Sequence, residues 1–111
     1  MAMHELRITR EIVDLATEKA GGRRVTRIAL VIGQLSGIVS DAIRFCFDVC
    51  ARSTVAEGAR LDIEEIPGRG RCRVCGQEVA LNQPFGQCEC GSVRIEVIAG
   101  EEMRIKEMEV A

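Results

Sequence analysis

The sequence predicts an α+β fold: two helices packed on a small mixed sheet, with an inserted zinc-ribbon-like module of two cysteine knuckles. Three observations carry that prediction. Apolar residues recur at helical spacing over residues 6–20 and 40–54, and alternate as in strands over 25–32 and 59–66. Four cysteines in the last third fall into two tight pairs, Cys72-Arg73-Val74-Cys75 and Cys88-Glu89-Cys90.

At about 100° per residue, Leu6, Ile8, Thr9, Ile12, Val13, Leu15 and Ala16 share one half of the first helix, and Arg7, Arg10, Glu11, Asp14 and Glu18 the other. Gly21-Gly22 ends it. The strand over 25–32 sets Ile28, Leu30 and Ile32 on one face and Arg27, Ala29 and Val31 on the other, so both faces are largely apolar. Ser40 is an expected N-cap for the second helix, in which Ala42, Phe45, Cys46, Val49 and Cys50 predict a mostly buried element. Cys46 and Cys50 share its inner face; they are either a second metal pair or, as the expected reading, buried thiols that pack as hydrophobes. In the strand over 59–66, Leu61 and Ile63 alternate with Asp62 and Glu64, which leaves one face wet. Pro67-Gly68-Arg69-Gly70 reads as a boundary. Two further strands are expected over 92–99 and 102–108, the last returning to the first sheet. The expected division is therefore residues 1–67 plus 100–111 as an α+β domain and 68–99 as the cysteine module.

Composition limits the function classes. The chain has 111 residues, 47% of them hydrophobic, which supports a packed core and excludes intrinsic disorder. Its three phenylalanines, with no tyrosine or tryptophan, leave Ile, Val, Leu and Ala to build that core. A net charge of −2 supplies no basic field toward nucleic acid, and no apolar run has the length of a membrane span. Clustered cysteines without a leader-like start point to the reducing cytoplasm and to metal binding instead of disulfides.

Zinc binds four thiolates tetrahedrally, and a cysteine pair on a tight turn presents both sulfurs to one side. Gly76 and Gly91 follow the two pairs and suit such turns. The second pair encloses one residue where zinc pairs usually enclose two. A closed four-sulfur set is structural, because catalytic zinc keeps a position open. The only histidine, His4, lies beside Glu5 ahead of the first helix. Read alone it is either a solvated side chain or one donor of a square-planar nitrogen site formed with backbone amides and a free amine. Such a plane suits Ni(II) or Cu(II).

Met3-His4-Glu5-Leu6-Arg7-Ile8, Ile32-Gly33-Gln34-Leu35-Ser36, Phe45-Cys46-Phe47-Asp48, Ala56-Glu57-Gly58-Ala59-Arg60-Leu61-Asp62-Ile63-Glu64 and the two cysteine clusters, taken in order, resemble the HypA/HybF family of hydrogenase nickel-insertion accessory proteins. The resemblance implies a nickel metallochaperone with an N-terminal Ni(II) site at His4 and Glu5, and a separate structural Zn(II) site at Cys72, Cys75, Cys88 and Cys90. It implies a GTPase of the HypB type and the large subunit of a [NiFe]-hydrogenase as partners, with urease maturation proteins as a further destination. Family members usually begin at the methionine directly before the histidine, whereas Met1-Ala2 precede Met3 here. A form beginning at Ala2 would place histidine third, an arrangement that closes three chelate rings without Glu5.

Two other classes fit the sequence less well. A zinc ribbon that binds nucleic acid, or acts as a regulatory module, could use Arg69, Arg71, Arg73 and Arg94, but acids intersperse them and no aromatic residues accompany them for base stacking. An enzyme is not expected. The acids of Glu64-Glu65 and of Glu101-Glu102 point to opposite faces when extended, and the chain has no phosphate-binding G-x-x-x-x-G-K-[ST] loop.

Overall fold

A computed structural model describes residues 3–111. The order of elements is α1 (Met3–Ala20), β1 (Val25–Gly33), α2 (Ser40–Cys50), β2 (Arg60–Ile66), β3 (Gly68–Cys72), β4 (Glu78–Leu81), β5 (Ile95–Ala99) and β6 (Met103–Val110). Two three-stranded sheets result, ordered β2-β1-β6 and β4-β3-β5. The fold is α+β. The last strand does return to the first sheet, beside β1.

The chain forms two compact units. One comprises the residues up to Leu30 with Val39–Glu64 and Arg104–Ala111, and the other Val31–Ile38 with Glu65–Met103. In the first, helical periodicity and strand alternation meet in one apolar core: Ile12, Val13 and Ala16 of α1, Val25, Ile28 and Leu30 of β1, and Ile43, Cys46 and Phe47 of α2 are all buried. Ala29 is buried as well. On the strand-spaced side of β1, Arg27 bonds Asp62 at 2.6 Å and pairs with Glu109 at 3.2 Å and Glu107 at 3.5 Å. The guanidinium holds the Asp62 carboxyl below the usual range, with Arg60 contributing.

Several local readings differ from the structure. Leu15 is 41% exposed. Phe45 and Val49, expected inside α2, are 61% and 45% exposed, so only Ile43, Cys46 and Phe47 of the helix are buried. Ser40 is the first helical residue and not the cap; Val39, extended at φ −92°, is the N-cap and supplies no side-chain bond. The helix also stops at Cys50, short of residue 54. There the Thr54 hydroxyl donates to the Ala51 carbonyl and accepts from the Ala56 amide, and a series of turns replaces further helix. In the same way the Ser92 hydroxyl accepts the Arg94 amide, and β5 starts only at Ile95.

The second unit departs most from the pattern of its sequence. Pro67-Gly68-Arg69-Gly70 does not form a turn; Gly68 opens β3, which pairs antiparallel with β4 and β5. Gly68 and Gly70 are buried. A Cβ at Gly68 would press into the Leu81 carbonyl and Leu35, so this glycine permits a close backbone approach, and one at Gly70 would press into the side chains of Ile95 and Leu81.

Candidate metal centres

β3 carries Cys72 to the base of a tight turn. The Gly76 amide bonds the Cys72 carbonyl at 2.9 Å, and Gly76 takes φ 79° to close the loop. Inside that loop the amides of Val74 and Cys75 point at Cys72 Sγ, at 3.4 and 3.5 Å. The shorter second pair makes a comparable knuckle: the Gly91 amide bonds the Cys88 carbonyl at 2.8 Å, and the Cys88 amide bonds the Ser92 carbonyl at 2.9 Å.

These two turns bring together all four cysteines expected to share a metal. Cys72 Sγ lies 3.6 Å from Cys90 Sγ, Cys75 Sγ lies 3.5 Å from Cys88 Sγ, and all four sulfurs fall within 4.8 Å of one another. A tetrahedron of thiolates at about 2.3 Å from zinc has edges of about 3.8 Å, so both the donor set and its dimensions fit the ion. Cys88 belongs to this cluster despite its one-residue spacing to Cys90, and it is buried beside Cys72. The Cys75 amide, with that of Val74 and the neighbouring thiols, brings the Cys72 thiol down to about 6 against the cost of burial. Cys75 moves the other way: the Gln77 amide favours its thiolate, but its hydrogen bond with Cys88, burial and its contact with Cys72 outweigh that. One sulfur is thus already biased toward the thiolate a metal requires.

The basic residues beside the knuckles are paired. Arg69 bonds Glu78, Arg71 lies 3.5 Å from the same carboxylate, and Arg73 lies 3.2 Å from Glu96. They form a neutralised rim instead of a continuous basic stripe.

At the other candidate centre, His4 is exposed on the first turn of α1. The first amides of a helix have no intrahelical acceptor, so the nitrogens of His4 and Glu5 are not committed to the helix ladder. Glu5 differs from its neighbour. Its side chain is 2% exposed, and its carboxylate accepts the Val39 amide at 3.2 Å. In a capping box an acid three residues into the helix would fill that role; here α1 lends the acid to the start of α2. The sequence reading missed this use of Glu5, and its only signal was an acid within an otherwise buried helical face. Thr9, also buried, donates to the Glu5 carbonyl at 2.6 Å. The alternative start at Met1-Ala2 lies outside the described residues. Cys46 is buried and its thiol is pushed up by burial, with Cys50 and Glu5 adding to the effect. A depression of about 430 Å³ over β1 is lined by Thr26, Arg27, Arg60, Glu107 and Glu109, and the Arg27 ion pairs occupy its chemistry.

A family described as "Hydrogenase/urease nickel incorporation, metallochaperone, hypA" matches residues 3–110. The chain belongs to the HypA family. Among its relatives, "Hydrogenase maturation factor HypA" of Nostoc punctiforme is 58% identical over 108 residues, covering 97% of this chain and 96% of the relative. The protein of the same description from Geobacter metallireducens is 51% identical over 109 residues, covering 97% and 99%. The solution structure of the Ni metallochaperone HypA from Helicobacter pylori matches with a TM-score of 0.68 at 25% identity, covering 96% of both chains. A second solution structure of a HypA protein matches at 0.73, also at 25% identity, covering 100% of this chain and 98% of that one. Relatives of this chain are thus maturation factors and metallochaperones. Among the described residues, no helix is long and apolar enough to cross a membrane.

Proposed function

We propose that this chain carries Ni(II), binding it through the His4 imidazole and neighbouring backbone nitrogens at the start of α1, and delivers it for assembly of the [NiFe]-hydrogenase metal centre. The observation that carries the reading is the match of the nickel-incorporation family across residues 3–110. Exposure of His4 and the uncommitted amides of the first helical turn support it. Glu5 contributes its amide nitrogen, since its carboxylate is engaged with Val39. Nickel in such a plane is cargo and not a catalytic ion, and the chain is no enzyme.

A Zn(II) ion is held by Cys72, Cys75, Cys88 and Cys90 and serves structure, because four protein ligands leave no position for substrate. The division of labour follows the expected domains, with nickel binding in residues 1–67 plus 100–111 and zinc in 68–99. Partners are a HypB-type GTPase, which supplies the nucleotide chemistry this chain lacks, and the hydrogenase large subunit, with urease maturation proteins as a further outlet. The work takes place in the cytoplasm.

Titration of the tag-free protein with Ni(II), followed by its d-d absorption, tests the carrier. A yellow square-planar species is expected in the wild-type chain and lost in His4→Ala. Tight RNA or DNA binding without nickel binding would favour a nucleic-acid module. A form beginning at Ala2 uses the Ala2 amine, the amides of Met3 and His4, and the imidazole; a form beginning at Met3 draws on the Glu5 amide. The two should differ in nickel affinity and spectrum, and identical titrations would remove the extension from the site. Affinity falls with pH in either form, because amide and imidazole protons must leave.

A further inference from the structure

α2 carries an apolar stripe that its own fold does not use. At about 100° per residue, Ala42, Phe45 and Val49 lie within about a sixth of the helix circumference, beside the buried face of Ile43, Cys46 and Phe47, and Val39 is the extended residue that precedes them. Val39, Phe45 and Val49 are exposed, and Phe45 is one of only three aromatic residues in the chain. The opposite border of the stripe is acidic: Asp41 and Asp48 are exposed and make no ion pair or side-chain hydrogen bond among the described residues. The stripe also begins beside the proposed nickel donors, since Val39 is the residue whose amide the Glu5 carboxylate accepts.

We infer that this stripe is the docking face for a protein partner that presents an apolar groove bordered by arginine or lysine, which seats Phe45 and pairs with Asp41 and Asp48. The inference rests on the carrier reading, which requires a receiving protein near His4. Charge decides between occupants. In an antiparallel pair of α2 helices from two copies of this chain, the acidic borders would face each other, and like charges at an interface oppose association. A basic-rimmed partner meets the same border favourably. An exposed aromatic knob between unpaired charges is also the kind of residue that dominates binding when a pocket desolvates it.

The test measures binding of the purified GTPase and of the purified hydrogenase large-subunit precursor to the zinc-loaded full chain, at low and moderate salt. One of the two should bind. Phe45→Ser should weaken that binding by about tenfold or more. Asp48→Lys should weaken it several-fold and flatten its salt dependence, without touching a buried residue. Phe85→Ser, which removes an equally exposed phenylalanine of the other unit, should change it less than about twofold. Circular dichroism checks that each variant folds, and Asp48→Lys carries the test if Phe45→Ser does not. The inference is overturned if both α2 variants bind as the wild type does, if only Phe85→Ser loses binding, or if the wild-type chain is a dimer that Phe45→Ser dissociates. It is also overturned if neither protein binds. Nickel absorption of the same sample reports on the carrier reading independently.

Discussion

The two compact units of this molecule are held by different physics. Around α1, α2 and the start of β1, large side chains such as Ile28, Leu30, Ile43 and Phe47 are buried against one another. Around β3, β4 and β5 the buried residues are small or sulfur-bearing: Gly68, Gly70, Cys72 and Cys88, with Leu81 the one large aliphatic in the strand pair. The first unit gains its free energy from area removed from water. Apart from Val31 and Ile32 at the end of β1, the second buries few large side chains, and relies on backbone pairing plus whatever the four thiols bind. A variant that is severe in one unit should therefore be mild in the other.

The largest effect belongs to the thiols. Structural zinc in small domains contributes binding free energy on the order of 10 kcal/mol, so Cys72→Ala should abolish metal retention and unfold the knuckles. Hydrogen exchange should show β3, β4 and β5 losing protection while α1 and α2 keep theirs. Metal content unchanged in Cys72→Ala would remove that cysteine from the set, and Cys88→Ala asks the same of the shortened pair.

Core truncation gives the reverse. Ile28→Ala should cost about 2–5 kcal/mol by urea unfolding, since Ile28 is fully buried and the cavity can collapse only partly. Metal analysis of the folded fraction should still find a filled four-cysteine site. Loss of zinc at that point would mean that the units do not fail separately.

Glu5 sharpens the comparison from within the first unit. Glu5→Ala leaves the Val39 amide without its acceptor and should destabilise by about 1–3 kcal/mol, whereas Glu5→Gln, whose amide oxygen can still accept, should recover most of it. Nickel titration of Glu5→Gln should resemble that of the wild type if only the backbone nitrogen of Glu5 is a donor.

The smallest effect is electrostatic. Arg27 and Arg60 lower the Asp62 carboxyl below its ordinary value of about 3.9. The contribution of this pair is therefore complete above that value and disappears as pH falls through the lower folded one. Asp62→Asn should remove this acid-dependent step from pH-melting curves and lower the melting temperature near neutrality only slightly, because the pair is partly solvated. An unchanged acid limb would place the titrating carboxylate elsewhere.

Sequence alone determined whatever depends on periodicity or on a rare residue type. The helical stripe of Ile12, Val13 and Ala16, the two-faced strand ending in Ile32, and the four cysteines were legible because helix and strand periods are local and thiols have few other reasons to cluster. Tertiary structure decided everything that required knowing what lay opposite. Gly68 and Gly70 looked like punctuation, yet they are strand residues because Leu81, Leu35 and Ile95 come too close for a side chain. Phe45 and Val49 carried a core pattern, yet they face outward because the covered face of α2, which packs against α1, takes only Ile43, Cys46 and Phe47. Glu5 entered only as a metal donor that the resemblance implies, yet its carboxylate is buried on the Val39 amide, because α2 begins without a side-chain cap of its own. Chain pattern specifies which surfaces are apolar; only the packed neighbours determine which of them are covered and which polar groups must be satisfied.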